Sequence, residues 1–149
     1  MTAARLTPLS AEQLQQARKE AAARFEAIAM KYVPEGYTIS YRKSLSGRHS
    51  GRKKLLQVPR PVTRKSLYIF LHECAHAHLG HGHNRRMVPR HVKEMEAEKW
   101  AHEKMRENAV HVPRFMTKRA KEYVARKIRQ AQNHGAKKID RKAARFAGY

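Results

Sequence analysis

Hydrophobic residues recur every three or four positions along four stretches of this chain, which is the spacing of amphipathic helices. In the first stretch Leu14, Phe25 and Ile28 fall on one helical face. Two shorter stretches instead alternate apolar and polar residues, as half-buried strands do. The pattern therefore predicts helices over about 10–32, 64–79, 91–108 and 117–133, and strands over 37–42 and 53–58.

The connection between the two predicted strands contains residues 44–52, which are mostly Ser, Gly and basic residues. A connection of this kind predicts a mobile loop that joins an antiparallel β-hairpin. The hairpin would pack on the second helix, and the fold class would be α+β and mostly helical. If strand 53–58 lay at a free sheet edge, it could also hold an extended peptide by backbone pairing.

Residues that favour helix ends lie at the expected boundaries. Ser10 and Gln13 form a capping-box pair at the start of the first helix. Thr63 and Ser66 mark the start of the second helix, and Gly80 follows its end. The second helix is therefore predicted as a separate element with defined ends.

A chain of 149 residues is long enough for one domain. We expect a flexible arm over 1–9, a single domain over 10–133 and a basic carboxyl-terminal tail over 134–149. No apolar run suits a secretory signal or a membrane span, which predicts a cytoplasmic protein with no membrane partner. Cys74 is the only cysteine, so no intramolecular disulfide can form, and we expect it to be a small buried residue.

The chain is strongly basic, with 33 Lys and Arg against 12 Asp and Glu and a formal net charge of +21. The basic residues concentrate in stretches 42–65 and 114–149. An excess this large is typical of proteins that contact a polyanion, most often nucleic acid. Nucleic acid is therefore a predicted partner.

The second predicted helix contains the pattern His72-Glu73-x-x-His76. Residues four apart share a helical face, so His72 and His76 can present two imidazole nitrogens to one metal ion. Zinc accepts such ligands in a tetrahedral arrangement, and a catalytic zinc site leaves one position for water. Glu73 would then act as the general base. This pattern predicts a zinc hydrolase.

Two histidines leave a zinc ion in need of a third protein ligand. The longer pattern HExxHxxGxxH, which would supply a histidine, is not met after His76. His81 and His83, after the glycine turn, stay open as ligands. On the next helix Glu94 lies within the apolar arc and Glu96 at its edge. A carboxylate directed at the core needs a partner, and zinc would be a natural one for Glu94.

Segment 72–76 (HECAH), followed by segment 94–101 (EMEAEKWA), resembles the gluzincin metallopeptidases and most of all the ImmA/IrrE family. That family carries HExxH and then a helix of the form Glu-x-x-Ala-Asn/Asp-x-Phe-Ala. The resemblance implies a zincin core with Glu94 as the third ligand. Glu98 stands where the family has Asn or Asp, and it could hydrogen-bond a ligand histidine. Trp100 replaces the Phe, and the family's following Leu-Leu-x-Pro is absent.

We therefore expect a zinc-dependent metallopeptidase that hydrolyses peptide bonds of a protein or peptide substrate on or near nucleic acid. Its basic composition is similar to that of SprT-like proteases, which act on proteins attached to DNA. A nucleic-acid-binding protein with a structural or vestigial zinc is the alternative, and a metal-dependent nuclease is a further one. The candidate donors to a developing oxyanion are His78, His81, His83 and Tyr68.

Overall fold

The computed structural model of this protein describes residues 4–81 and 88–149. Five helices and three strands lie within these ranges. In chain order they are α1 (Ala11–Met30), β1 (Thr38–Arg42), β2 (Arg48–Ser50), β3 (Leu55–Pro59), α2 (Arg64–His78), α3 (Arg90–Glu107), α4 (Arg114–Asn133) and α5 (Arg141–Ala147). The predicted fold class, a mostly helical α+β fold, is confirmed.

The three strands form one mixed sheet in the order β1-β3-β2. The predicted antiparallel pairing of 37–42 with 53–58 is wrong, because β1 and β3 run parallel. The predicted loop contains β2, which turns back and pairs antiparallel with β3. Strand β3 is therefore central and offers no free edge. The central position of β3 agrees with its apolar residues, because Leu56 and Val58 are fully buried.

Helix α2 lies at the centre of the main core, where it packs against α1, α3, β2 and β3. Leu67, Phe70 and Leu71 of this helix have no exposed surface, and burying each contributes about 1.5–3 kcal/mol. Cys74 is fully buried among them, as predicted, and burial raises the pKa of its thiol. Neighbours on several sides therefore hold α2 in place.

Helices α3, α4 and α5 share a second, smaller core cluster, which is formed by Met95, Val124, Ile128 and Ala143. Helix α4 begins at Arg114 and not at the predicted Thr117. The reason is Pro113, which adopts φ −61° and ψ 149° and directly precedes the first helical turn. Helix α5 lies within the basic tail and packs on α3 and α4 through this cluster.

Residues 4–10 precede α1 without regular secondary structure and are exposed. The rest of the predicted arm, residues 1–3, lies outside the described residues. In the part of the chain that the structure describes, no helix is long and apolar enough to cross a membrane.

Capping boxes begin both α1 and α2, and the predicted pair Ser10 and Gln13 is confirmed. At α2 the Oγ atom of Ser66 accepts hydrogen bonds from the backbone N–H groups of Val62 and Thr63, at 3.0 and 2.9 Å. Ser66 is only 3% exposed. Its hydroxyl therefore satisfies two part-buried backbone donors at the start of α2.

The two capping boxes predict unequal effects on stability. Ser66→Ala should lower the free energy of unfolding by about 1–2 kcal/mol, because it removes a buried hydroxyl that accepts two part-buried backbone hydrogen bonds. Ser10→Ala, at an exposed cap, should cost less than about 1 kcal/mol because water can replace the lost oxygen. Urea unfolding followed by circular dichroism measures both. Equal losses would contradict the role given to Ser66.

Candidate metal centre

Helices α2 and α3 pack against each other, and their facing sides bring histidines and a carboxylate together. On α2 the rings of His72 and His76 lie one turn apart, with their centroids separated by 4.8 Å. On α3 the Oε2 atom of Glu94 is 3.1 Å from Nε2 of His72 and 3.4 Å from Nε2 of His76. The two Nε2 atoms are themselves 3.1 Å apart.

These three atoms form a nearly equilateral triangle. Two imidazole nitrogens and one carboxylate oxygen are a common donor set for divalent transition metals. The residues His72, His76 and Glu94 could therefore hold a metal ion. The triangle joins a motif within one helix to a residue 18 positions beyond it along the chain, so only the packing of α3 on α2 assembles it.

Three carboxylates are buried around these histidines: Glu73, Glu94 and Glu98 are 8%, 7% and 6% exposed. Buried carboxylates are costly unless a cation or several hydrogen bonds compensate them. Arg90 lies beside Glu94, but its Nε is 4.0 Å from Oε1 and its side chain is mostly exposed. The centre therefore contains buried negative charge that a cation could compensate.

The close packing of histidines and carboxylates also shifts the pKa values of the centre. Burial acts to raise the pKa of Glu94, but hydrogen bonds to His72 and His76 outweigh it and hold the pKa well below its usual range. Burial acts to lower the pKa of His72, yet the carboxylates of Glu94 and Glu98 raise it well above its usual value. His72 therefore retains a proton firmly, and a metal ion would compete with that proton.

Glu98 lies against the other ring nitrogen of His72. Its Oε1 atom is 3.3 Å from Nδ1, although the two are not aligned for a hydrogen bond. Its Oε2 atom accepts a hydrogen bond from the hydroxyl of Tyr68, which also lies 2.9 Å from Nδ1 of His102. Glu98 therefore lies beside His72 and is held by Tyr68, while the predicted hydrogen bond to a ligand histidine is not formed.

Two of the alternative third ligands, His81 and Glu96, lie on the outer side of His76. Nδ1 of His81 is 2.8 Å from Nδ1 of His76, and Nε2 of His81 is 3.0 Å from Oε2 of Glu96. In the tautomers that satisfy both contacts, His76 donates to His81 and His81 donates to Glu96. This directs the unprotonated Nε2 of His76 towards the triangle. The remaining alternative, His83, lies outside the described residues.

Most of the side chains predicted as oxyanion donors are engaged elsewhere. His78 donates from Nε2 to the carbonyl of Tyr32 at 2.7 Å. Tyr68 and His81 are held in the contacts described above, and His83 is again outside the described residues. None of these described groups is placed as a donor beside the triangle.

A cleft of about 240 Å³ opens beside Glu73 and His72, and Tyr123 of α4 lines it. The ring of Tyr123 lies 6.4 Å from the ring of His72, centroid to centroid. Burial and then the charge of Glu94 raise the pKa of Tyr123 to about 12, so its hydroxyl keeps its proton at neutral pH. Tyr123 was not predicted as a site residue, because helical periodicity cannot separate a core residue from a cleft residue.

Glu73 packs against the backbone just before β2. A Cβ atom on Gly47 would lie 2.6 Å from Cγ and 3.0 Å from Oε1 of Glu73, so any larger residue there would force the Glu73 side chain to shift. Burial raises the pKa of Glu73, although His72 and His76 oppose this. Gly47 was not predicted as a site residue, because a glycine in a polar loop carries no sequence signal for a contact made through the fold.

A scan against protein-family models, a search of curated proteins and a search of solved structures each found no match to this chain. The resemblance to gluzincins therefore depends on the residues of α2 and α3 alone and stays a prediction.

The fit of Gly47 against Glu73 can be measured as a coupling between the two positions. Gly47→Ala should lower the free energy of unfolding by about 1–3 kcal/mol, because the added methyl group overlaps the Glu73 side chain. In a Glu73→Ala background the same substitution should cost much less. Chemical unfolding of the four proteins of this double-mutant cycle measures the coupling. If Gly47→Ala lowered the free energy of unfolding equally in both backgrounds, the destabilisation would not come from the contact with Glu73.

Proposed function

We propose that this protein is a zinc-dependent metallopeptidase that hydrolyses peptide bonds of a protein substrate on or near nucleic acid. The observation that carries the proposal is the convergence of His72, His76 and Glu94 on one point, with Glu73 buried beside them at a cleft. A metal triad next to a carboxylate that can exchange protons is the combination that hydrolytic chemistry requires.

The distances between the three ligand atoms suit zinc. Ligands about 2.0–2.2 Å from a zinc ion in tetrahedral geometry are separated from one another by about 3.3–3.6 Å. The three edges here are 3.1, 3.1 and 3.4 Å, so bound zinc would require movements of only a few tenths of an ångström. A triad of two histidines and one glutamate also leaves one tetrahedral position open, as catalytic zinc sites do.

Zinc, when bound at such a triad, supplies Lewis acidity that activates water and polarises a carbonyl group. The protein's own contribution begins with Glu73. Its raised pKa makes it a better proton acceptor than an exposed glutamate. We assign it the proton of the attacking water, which it would pass to the leaving amine. The Glu73 side chain lies close against the backbone of Gly47 at the edge of the cleft.

Tyr123 is the donor that we assign to the oxygen that gains negative charge during attack. It lines the cleft that contains Glu73, and its hydroxyl is protonated at neutral pH because its pKa is raised to about 12. A hydroxyl donor in a water-poor cleft stabilises such charge more than it could in bulk water. Glu98 and the pair of His81 and Glu96 would orient the two ligand histidines.

The proximity to nucleic acid is supported by charge. The formal net charge is +21, and α4 carries exposed basic residues along much of its length, among them Lys118, Lys121 and Arg129. A polyanion near such a surface gains affinity through counterion release. The same observation favours the second candidate function, a nucleic-acid-binding protein in which the metal is structural or vestigial. A metal-dependent nuclease is a third.

Glu73→Gln should separate metal binding from chemistry. The variant should retain zinc, since Glu73 is not among the three converging residues, yet it should lose about 10²–10⁴-fold in the hydrolysis rate because the amide cannot accept a proton. Glu103→Gln, an exposed change on α3, serves as the control. The probes are an unfolded labelled protein and a labelled oligonucleotide, each with the zinc content measured in parallel.

The outcomes of this experiment separate the three candidates. Protein cleavage that fails only in Glu73→Gln supports the peptidase. Oligonucleotide cleavage that fails in the same variant would instead identify a nuclease. Salt-dependent oligonucleotide binding without any cleavage by zinc-loaded protein would favour the binding protein. Undiminished protein cleavage by Glu73→Gln would refute the role of Glu73.

A further inference from the structure

Three basic side chains line the cleft beside Glu73: Lys65 of α2, and Arg119 and Arg126 of α4. We call these three residues the cleft collar. Arg126 lies over the ring of Tyr123, with its guanidinium carbon 5.3 Å from the ring centroid. No ion pair joins a collar residue to any carboxylate in the described ranges 4–81 and 88–149.

The other groups that line the cleft do not neutralise the collar. The carboxylates there are Glu73 and Glu98, which the histidines and Tyr68 already engage. The remaining walls are largely apolar and include Leu45, Ile69, Met116 and Ala120. A ligand that enters the cleft therefore meets positive side chains that have no carboxylate ion-pair partner in the described residues, and a carboxylate ligand could form charge-assisted hydrogen bonds with them.

The size of the cleft limits what can fill it. A volume of about 240 Å³ is below the roughly 300–1,000 Å³ of pockets that enclose drug-sized ligands. It suits one or two amino-acid side chains of an extended peptide. A nucleic-acid duplex is far wider and could contact only the outer surface of the collar. An acidic side chain carries a negative charge that would pair with the positive collar, and it is small enough for the cleft.

We propose that the cleft collar is a specificity subsite that binds an aspartate or glutamate side chain of the substrate close to the scissile bond. The inference rests on the proposed peptidase function and adds the class of substrate, namely acidic polypeptide segments. Arg119 and Arg126 would contact the carboxylate directly, as guanidinium groups pair with carboxylates in a two-pronged geometry. Lys65 would add charge from the opposite wall.

Binding to the zinc-loaded Glu73→Gln protein tests this without relying on turnover. The probes are short labelled peptides of alanine in which one glutamate, or one glutamine as the neutral match, is placed at each position in turn. Fluorescence anisotropy gives the dissociation constants. At the best position the glutamate peptide should bind about tenfold more tightly than its glutamine match. The preference should disappear in a variant that also carries Arg119→Gln and Arg126→Gln.

A matched control separates the subsite from the general charge of the protein. Lys121→Gln with Arg129→Gln removes two positive charges from exposed positions of the same helix that do not line the cleft. This control should keep the preference for glutamate. Equal losses in the control and in the collar variant would overturn the proposal, because they would assign the effect to net charge. Circular dichroism and zinc content establish that each variant is folded and loaded.

Two further outcomes distinguish this inference from the proposed function. If wild-type protein cleaves none of the peptides but the collar-dependent preference for glutamate persists, the acidic subsite stands and the peptidase function fails. If peptides are cleaved with no preference for glutamate at any position, the peptidase stands and the subsite is overturned. A short single-stranded oligonucleotide whose binding alone depends on Arg119 and Arg126 would also overturn it, and would assign the collar to nucleic acid.

Discussion

The rest of this structure depends on one constraint, the burial of carboxylates against histidines where α3 packs on α2. Glu94 and Glu98 lie one turn apart on α3 and contact the two ring nitrogens of His72. Such charges are stable inside a small protein only if cations or hydrogen-bond donors surround them. The arrangement is costly for folding alone, and a metal ion bound there would give it a physical reason.

The surrounding elements fix that interface from every side. Buried apolar residues hold α2 against β3, and the second core cluster holds α3 and α4 together. The segment before β2 closes over Glu73 through Gly47, and α4 contributes Tyr123 and the cleft collar. The loop before β2 and the basic helix α4, which are far apart along the sequence, both line the cleft.

Local signals predicted the helices and much of the centre. The capping residues and periodicity located α1 and α2 closely, and the inward position of Glu94 followed from its place in the apolar arc. The predicted strand pairing was wrong because the local sequence does not show whether β1 and β3 pair in parallel or antiparallel. The sequence could not tell whether His81 would bind the metal or orient a ligand histidine, because histidine serves in both roles. Only the fold shows that Nδ1 of His81 lies beside Nδ1 of His76.

The most direct test of the account is the affinity for zinc of metal-depleted protein, compared among wild type, Glu94→Gln and Glu96→Gln. Both substitutions remove one carboxylate from α3, but only Glu94 lies in the triangle. The account predicts one zinc per chain in wild type, a far weaker affinity in Glu94→Gln, and at most about a 10–100-fold loss in Glu96→Gln. Unchanged binding in Glu94→Gln, or no zinc binding in wild type, would contradict it.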